Sequence, residues 1–156
     1  MKLAGFVAGV ILLLDQVTKI LALKHLTLGD PVPVLPGFFS LTLIMNPGVA
    51  FGMLATTPPG WRWVVALLSI GALAVLGVVG ARLLPLGGRL AELALGLIFG
   101  GAVGNLIDRA RFGAVVDFLD FYWRGYHWPA FNVADSAVSV GVALLAIRML
   151  RPMPAE

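Results

Sequence analysis

The chain has 156 residues, of which 60% are hydrophobic and only 12% are charged, and its mean hydropathy is +0.97. This length predicts one domain, and this composition leaves little room for a soluble one. The absence of cysteine excludes disulfides and thiolate metal sites. The net charge of +3 requires no nucleic-acid partner, because basic loops beside anionic lipid headgroups account for it.

Four apolar stretches are long enough for helices that cross a membrane, which takes about 20 residues each. They predict an all-α polytopic membrane protein, a single membrane-embedded domain over 1–156. Its helices are expected at about 3–24, 62–82, 89–109 and 132–151. The first helix is expected to remain uncleaved, because its apolar run continues to full spanning length. Four crossings place both termini on one side of the membrane and the segments at about 25–61 and 110–131 together on the other.

The connecting segments carry different patterns. Residues 34–45 alternate apolar and polar side chains between prolines, which predicts edge strands in a small sheet on the membrane surface. Residues 112–131 are rich in aromatic side chains, as is typical of the headgroup interface, and predict a short amphipathic helix there. Residues 84–89 predict a tight turn. Lysine and arginine flank the helices equally on the two sides, so charge bias alone does not orient the chain.

Ionisable residues at membrane depth are costly, by roughly 2.5–3.5 kcal/mol each on insertion scales, and therefore usually serve a function. Asp15 and Lys19 share one face of the first helix, where they could neutralise each other or take part in chemistry. In the third helix, a ridge of small residues, namely Gly96, Gly100 and Gly104, predicts close packing against another helix.

The outer end of the third helix carries Asn105, Asp108 and Arg109. We expect these three residues to organise a site rather than to act on a substrate directly. A plainer interpretation also stands, in which Asp108 and Arg109 form an ordinary terminal ion pair and Asn105 cross-links helices by hydrogen bonds.

Two further carboxylates carry most of the functional signal. Asp117 lies in an apolar run and has no evident structural reason to be there, whereas Asp120 could face water. Asn132 and Asp135 have the spacing of a capping box at the start of the fourth helix, so capping alone could explain them. Two acids close together can also split their pKa values and share a proton, as acid–base hydrolysis of an amide requires. The absence of His-Glu-x-x-His and Gly-x-Ser-x-Gly motifs disfavours zinc and serine hydrolases.

Five motifs in this chain resemble, in the same order, those of the bacterial lipoprotein signal peptidase (signal peptidase II) family. They are Asp15-Gln-Val-Thr-Lys19, Asn46-Pro-Gly-Val-Ala-Phe-Gly52, Gly104-Asn-Leu-Ile-Asp-Arg109, Val115-Val-Asp-Phe118 and Phe131-Asn-Val-Ala-Asp135. Each motif is weak alone, but five in order over nearly the whole chain form a specific signal.

The resemblance implies a multi-pass protein of the bacterial inner membrane, with cytoplasmic termini and a β-cradle and active site at the extracytoplasmic face. It implies an aspartic endopeptidase that removes the signal peptide of prolipoproteins before the diacylglyceryl-modified lipobox cysteine, with Asp117 and Asp135 as the catalytic residues. The positions expected to bind substrate or support the site are Asp15, Lys19, Asn46, Gly104, Asn105, Asp108, Arg109, Asn132 and Ala134. We expect a monomer that contacts membrane lipid, needs no cofactor or metal, binds no nucleic acid and is inhibited by globomycin.

Intramembrane acids, amides and lysines also build ion relays, so the alternative class is a small transporter or proton-relay subunit. A relay should place acids at several membrane depths, whereas Glu92 is the only candidate toward the opposite side. A third class, an assembly factor without chemistry, would leave Asp117 unexplained.

Overall fold

The computed structural model describes residues 2–48 and 61–150 and contains long helices and a small antiparallel sheet. The elements in chain order are α1 (Lys2–His25), β1 (Pro31–Leu35), β2 (Phe39–Asn46), α2 (Trp61–Phe112), β3 (Val115–Trp123), β4 (Tyr126–His127) and α3 (Val133–Leu150). Part of the expected motif 46–52 and the end of the expected last helix at 151 lie outside the described residues.

The helix α2 consists of two helical parts that meet at Gly88. The backbone of Gly88 has φ 60° and ψ −157°, a conformation that glycine adopts without the steric cost that a side chain would bring. Residues 84–87 remain helical, so the tight turn expected over 84–89 was wrong in its extent. The chain direction changes at one residue instead.

Three helical segments within the described residues are long and apolar enough to cross a membrane, namely Lys2–His25, Gly88–Phe112 and Val133–Leu150. The burial pattern of α1 is inverted relative to that of a helix in a soluble protein. In α1 the buried residues are Asp15, Lys19 and Ala22, while large apolar side chains such as Phe6 are exposed. Hydrocarbon tails solvate apolar side chains but not charges, so this pattern is that of a helix bundle in lipid.

Glycines allow the helices to approach closely, as the sequence predicted. A Cβ atom placed on Gly100 of α2 would lie 2.7 Å from the carbonyl oxygen of Ala8 and 2.9 Å from Cβ of Ile11, both in α1. Gly141 of α3 approaches α2 in the same way, because a Cβ atom there would lie 2.7 Å from the carbonyl oxygen of Ala94. Small residues at both interfaces thus bring α1 and α3 against α2.

The four strands form one antiparallel sheet in the order β1-β2-β3-β4. β2 belongs to the first long connecting segment and β3 to the second, so the two segments lie together, as the predicted topology requires. The prediction of an amphipathic helix in 112–131 was wrong, because this segment forms β3, a hairpin turn at Arg124 and Gly125, and β4. Aromatic residues favour strands as much as interfacial helices, which explains the error.

An apolar cluster of Ala22, Leu43, Val116 and Phe118 attaches the sheet to the end of α1. Successive side chains of a strand point to opposite faces. Val116 and Phe118 therefore pack on this cluster, while Asp117 between them points to the other side of β3, toward the start of α3.

The close contact of α1 with α2 predicts the effect of Gly100→Ala. The added methyl group would overlap the backbone of Ala8, so α1 must shift away. We expect thermal unfolding in detergent to show a loss of about 1–3 kcal/mol in the free energy of unfolding. The matched control is Gly9→Ala, whose Cβ atom would have nothing within 4 Å. Equal stability of the two variants would contradict this packing.

Candidate active site

Asp117 is buried, with only 1% of its surface exposed. Each of its carboxylate oxygens accepts one hydrogen bond. Its Oδ1 atom accepts from Nδ2 of Asn132 at 2.8 Å, and its Oδ2 atom accepts from Nδ2 of Asn46 at 2.9 Å. The pairing of β2 with β3 brings Asn46 to this position. The Oδ1 atom of Asn46 accepts from the backbone N–H of Gly48 at 3.0 Å, which holds its amide with the NH₂ group toward Asp117.

Asp135 lies in the first turn of α3 and forms the predicted capping box with Asn132. The N–H of Asp135 donates to Oδ1 of Asn132 at 2.9 Å, and the N–H of Asn132 donates to Oδ2 of Asp135 at 3.2 Å. Capping uses only one oxygen of the carboxylate, however. The other oxygen, Oδ1, accepts from Nδ2 of Asn105 in α2 at 2.8 Å.

Asn105 and Asn132 connect the two acids. The Nδ2 atom of Asn132, which donates to Asp117, lies 3.2 Å from Oδ1 of Asn105. The NH₂ group of the same Asn105 side chain donates to Asp135. The four donors described for Asp117 and Asp135 are neutral amides, three from side chains and one from the backbone. They orient the two carboxylates without bringing a positive charge into contact with either one.

This environment changes the acidity of Asp117. Burial, together with the negative charge of Asp135, raises the pKa of Asp117 from 3.8 to about 7, against the opposing effect of hydrogen bonds from Asn46 and Asn132. A carboxyl group with a pKa near 7 exists in both protonation states at neutral pH, which suits it to general acid–base chemistry.

A second group of charges lies beneath the two acids, at the junction of α1 and α2. The Nζ atom of Lys19 is 2.9 Å from Oδ2 of Asp15, 2.7 Å from Oδ2 of Asp108 and 2.8 Å from Oδ1 of Asn105. The predicted pairing of Asp15 with Lys19 is confirmed. The alternative of an ion pair between Asp108 and Arg109 was wrong, because Asp108 pairs with Lys19 instead.

The remaining predicted positions border these groups. Gly104 contacts Asp15 so closely that a Cβ atom would overlap its Oδ2 atom, and the N–H of Ala134 donates to Oδ1 of Asp15 at 3.0 Å. Arg109 donates from Nη1 to the carbonyl oxygen of Asn105 at 3.4 Å. Its Nε atom is buried and has no hydrogen-bond partner among the described residues.

Two residues differ from the sequence-based expectation. Gln16 was not selected, yet its Nε2 atom contacts Oδ2 of Asp15 at 3.1 Å and Oδ1 of Asp108 at 3.4 Å, and its place beside Asp15 in the first motif could have revealed it. Asp120 was expected to face water, but it is buried. It accepts from Oγ1 of Thr42 at 3.0 Å and lies 2.8 Å from Nδ1 of His127.

The chain is similar to known proteins in both sequence and fold. Residues 7–151 match the family described as signal peptidase (SPase) II. The chain is 48% identical over 150 residues to a lipoprotein signal peptidase of Geobacter metallireducens, which covers 96% of this chain and 91% of the relative. The corresponding protein of Geobacter sulfurreducens is 51% identical, covering 90% and 86%. A solved structure of a bacterial membrane enzyme, determined by the in meso method at 2.3 Å, has a TM-score of 0.77 and 32% identity, covering 96% of this chain and 88% of that one.

The raised pKa of Asp117 predicts how stability depends on pH. Between about pH 4 and 7 the folded protein holds a proton on Asp117 that the unfolded chain releases, so this residue's contribution to stability falls as pH rises through that window. Asp117→Asn removes this dependence, although it also costs a hydrogen bond at every pH. Thermal unfolding in detergent should therefore show that the stability of the variant, relative to that of the parent, increases from pH 4 to 7. A stability difference that is constant across the window would contradict the raised pKa.

Proposed function

Because this chain belongs to the signal peptidase II family, we propose that Asp117 and Asp135 are its two catalytic carboxylates. The membership establishes the activity, which is removal of the signal peptide from prolipoproteins by an aspartic-type endopeptidase in a membrane. The assignment of the two residues is carried by one observation: two acids from different elements, Asp117 buried and Asp135 partly buried, are joined through Asn132 and Asn105.

The two acids have different partners, which suggests different roles. Asp135 accepts two N–H groups, one of them at the N-terminus of α3, where the helix dipole favours a negative charge. We assign it as the ionised general base, which takes a proton from water as the water oxygen attacks the scissile carbonyl carbon. Asp117, with its pKa near 7, is the acid that donates its proton as the C–N bond breaks and the amine leaves.

Arg109 is suited to hold the substrate. Its buried Nε atom, without a hydrogen-bond partner among the described residues, is available to donate to a peptide carbonyl oxygen. Its side chain also lies near enough to Asp117 and Asp135 to interact electrostatically with both. We place the cleaved bond before a diacylglyceryl-modified cysteine, whose acyl chains remain in lipid while the peptide reaches the junction of helices and sheet. Globomycin is expected to compete for this place.

The sheet supports the proposal of four crossings. β2 follows α1 and β3 follows α2, and the two strands pair, which is the arrangement that an even number of crossings between them would produce. We propose that the segment Gly88–Phe112 makes one of these crossings and that residues 61–87 of α2 make the other. We propose that the termini lie in the cytoplasm and that the sheet and site lie at the extracytoplasmic face of the bacterial inner membrane. One chain supplies the whole site, so a monomer suffices.

Asparagine substitutions test the catalytic pair. Asp117→Asn and Asp135→Asn keep side-chain size but remove the titrating carboxyl, so each should lower cleavage of a lipidated lipobox peptide by about 10²–10⁴-fold. Losses within a cooperating pair are non-additive, so the double variant should be hardly worse than either single variant.

Asp120→Asn is the matched control for this experiment, because Asp120 is a buried acid of the same strand that bonds Thr42 and His127 instead. It should retain parental cleavage. Normal cleavage by a folded Asp117→Asn variant that still binds globomycin would remove Asp117 from the mechanism.

Cysteine labelling tests the orientation, because the chain has no cysteine of its own. Tyr126→Cys places a thiol in the hairpin of the sheet, where Tyr126 is 84% exposed, and Arg89→Cys places one beside Gly88. A membrane-impermeant thiol reagent added to intact cells should label only the first variant. Labelling of the second with protection of the first would reverse the orientation.

A further inference from the structure

We propose that the buried triad of Asp15, Lys19 and Asp108 sets the separation of the two catalytic carboxylates, with Lys19 as the positioning residue. This inference rests on the proposed roles of Asp117 and Asp135. The triad contacts neither carboxylate through its own acids. It acts through the backbone beside each of them and through one amide side chain.

Each acid of the triad holds the residue that immediately precedes a catalytic aspartate. The Oδ1 atom of Asp15 accepts from the N–H of Ala134 at 3.0 Å, next to Asp135. The Oδ2 atom of Asp108 accepts from the N–H of Val116 at 3.1 Å, next to Asp117. Because Lys19 holds both triad acids, a single ammonium group ties the start of α3 to the start of β3.

The third contact of Lys19 is with Asn105, whose side chain in turn contacts Asp135. Its ammonium group has three N–H bonds and three close acceptors, of which the third is Oδ1 of Asn105 at 2.8 Å. An ammonium group cannot accept a hydrogen bond, so it forces this amide to present its oxygen to Lys19. The NH₂ group of Asn105 must then point at Asp135, to which it donates at 2.8 Å.

Charge neutralisation alone does not explain this arrangement. One carboxylate would neutralise Lys19, yet two lie against it, and all three side chains are at most 2% exposed. A second buried acid is costly to insert, so it is expected to have a use of its own. The backbone contacts give each acid a separate use, because Asp15 accepts a hydrogen bond from the start of α3 and Asp108 accepts one from the start of β3.

Removing the positive charge should therefore separate the catalytic pair. Without Lys19, the carboxylates of Asp15 and Asp108 repel each other, and each carries its attached backbone with it. The amide of Asn105 also becomes free to turn over. A displacement of about 1 Å in a catalytic site can lower the rate about 100-fold.

Lys19→Met is the direct test, with cleavage of a lipidated lipobox peptide measured across a range of pH. We expect kcat to fall about 100-fold, as for a misplaced catalytic group, with KM close to the parental value. The pH profile should shift, because the mutual influence of Asp117 and Asp135 depends on their separation. The control is Asp120→Asn, which should retain both kcat and the pH profile of the parent.

A second substitution separates positioning from general loss of structure. Asp108→Asn added to Lys19→Met removes the repulsion, while its side-chain oxygen can still accept the N–H of Val116. This double variant should recover part of kcat and move the pH profile back toward that of the parent. Parental kcat and pH profile in Lys19→Met would overturn the proposal, and so would a double variant that regains thermal stability but neither kcat nor the profile.

Should Lys19→Met fail to insert, Asp15→Asn and Asp108→Asn carry the same test, and parental kcat and pH profile in both would overturn the proposal. The failure of this inference is distinguishable from that of the proposed function. If Asp117→Asn and Asp135→Asn abolish cleavage while the Lys19 variant cleaves normally, only the positioning role is wrong. If Asp117→Asn still cleaves, the catalytic assignment itself is wrong.

Discussion

The structure depends on a lysine ammonium buried at membrane depth between two carboxylates. An unpaired charge in a low-dielectric interior is very unfavourable. Lys19 pairs with Asp15 of its own helix and with Asp108 of α2, so α1 and α2 must meet at this position. The glycine at 104 makes this approach possible, because a side chain there would occupy the place of the Asp15 carboxylate. In a bundle whose apolar side chains face lipid, association cannot rely on the hydrophobic effect. Buried polar contacts and small residues therefore determine which helix faces meet.

Four aspartates of the site lie close together, three of them buried and Asp135 partly buried, and their partners divide them into two kinds. Asp15 and Asp108 contact an ammonium group and backbone amides, which fix their positions. Asp117 and Asp135 contact neutral amides of Asn46, Asn105 and Asn132, which orient a carboxylate without compensating its charge. Different environments for the same chemical group are a general means of separating structural from acid–base roles. All four acids lie at one end of the bundle, unlike the several depths that an ion relay requires.

Local patterns predicted much of this arrangement. The pairing of Asp15 with Lys19 and the capping box at Asn132 depend on residues at most four positions apart, and both predictions are confirmed. Of the four apolar stretches predicted to span a membrane, three correspond to candidate spans in the described residues. Contacts between segments far apart in the sequence could not be predicted from local patterns. The partner of Asp108 is in another helix, and Asn46 lies 71 residues from Asp117. The aromatic segment 112–131 could not be assigned from composition, because its pairing with β2, a long-range contact, makes it a strand. The catalytic roles of Asp117 and Asp135 stay predictions.

The most direct test of the account is an experimental structure of the Asp117→Asn variant with an uncleaved, lipidated lipobox peptide in a lipid environment. We predict that the scissile carbonyl group lies between residues 117 and 135, within hydrogen-bond reach of each directly or through one water molecule. The side chain of Arg109 should donate to a peptide carbonyl oxygen nearby. A scissile bond that lies away from both residues, for example against Asp120 and His127, would contradict the catalytic pair.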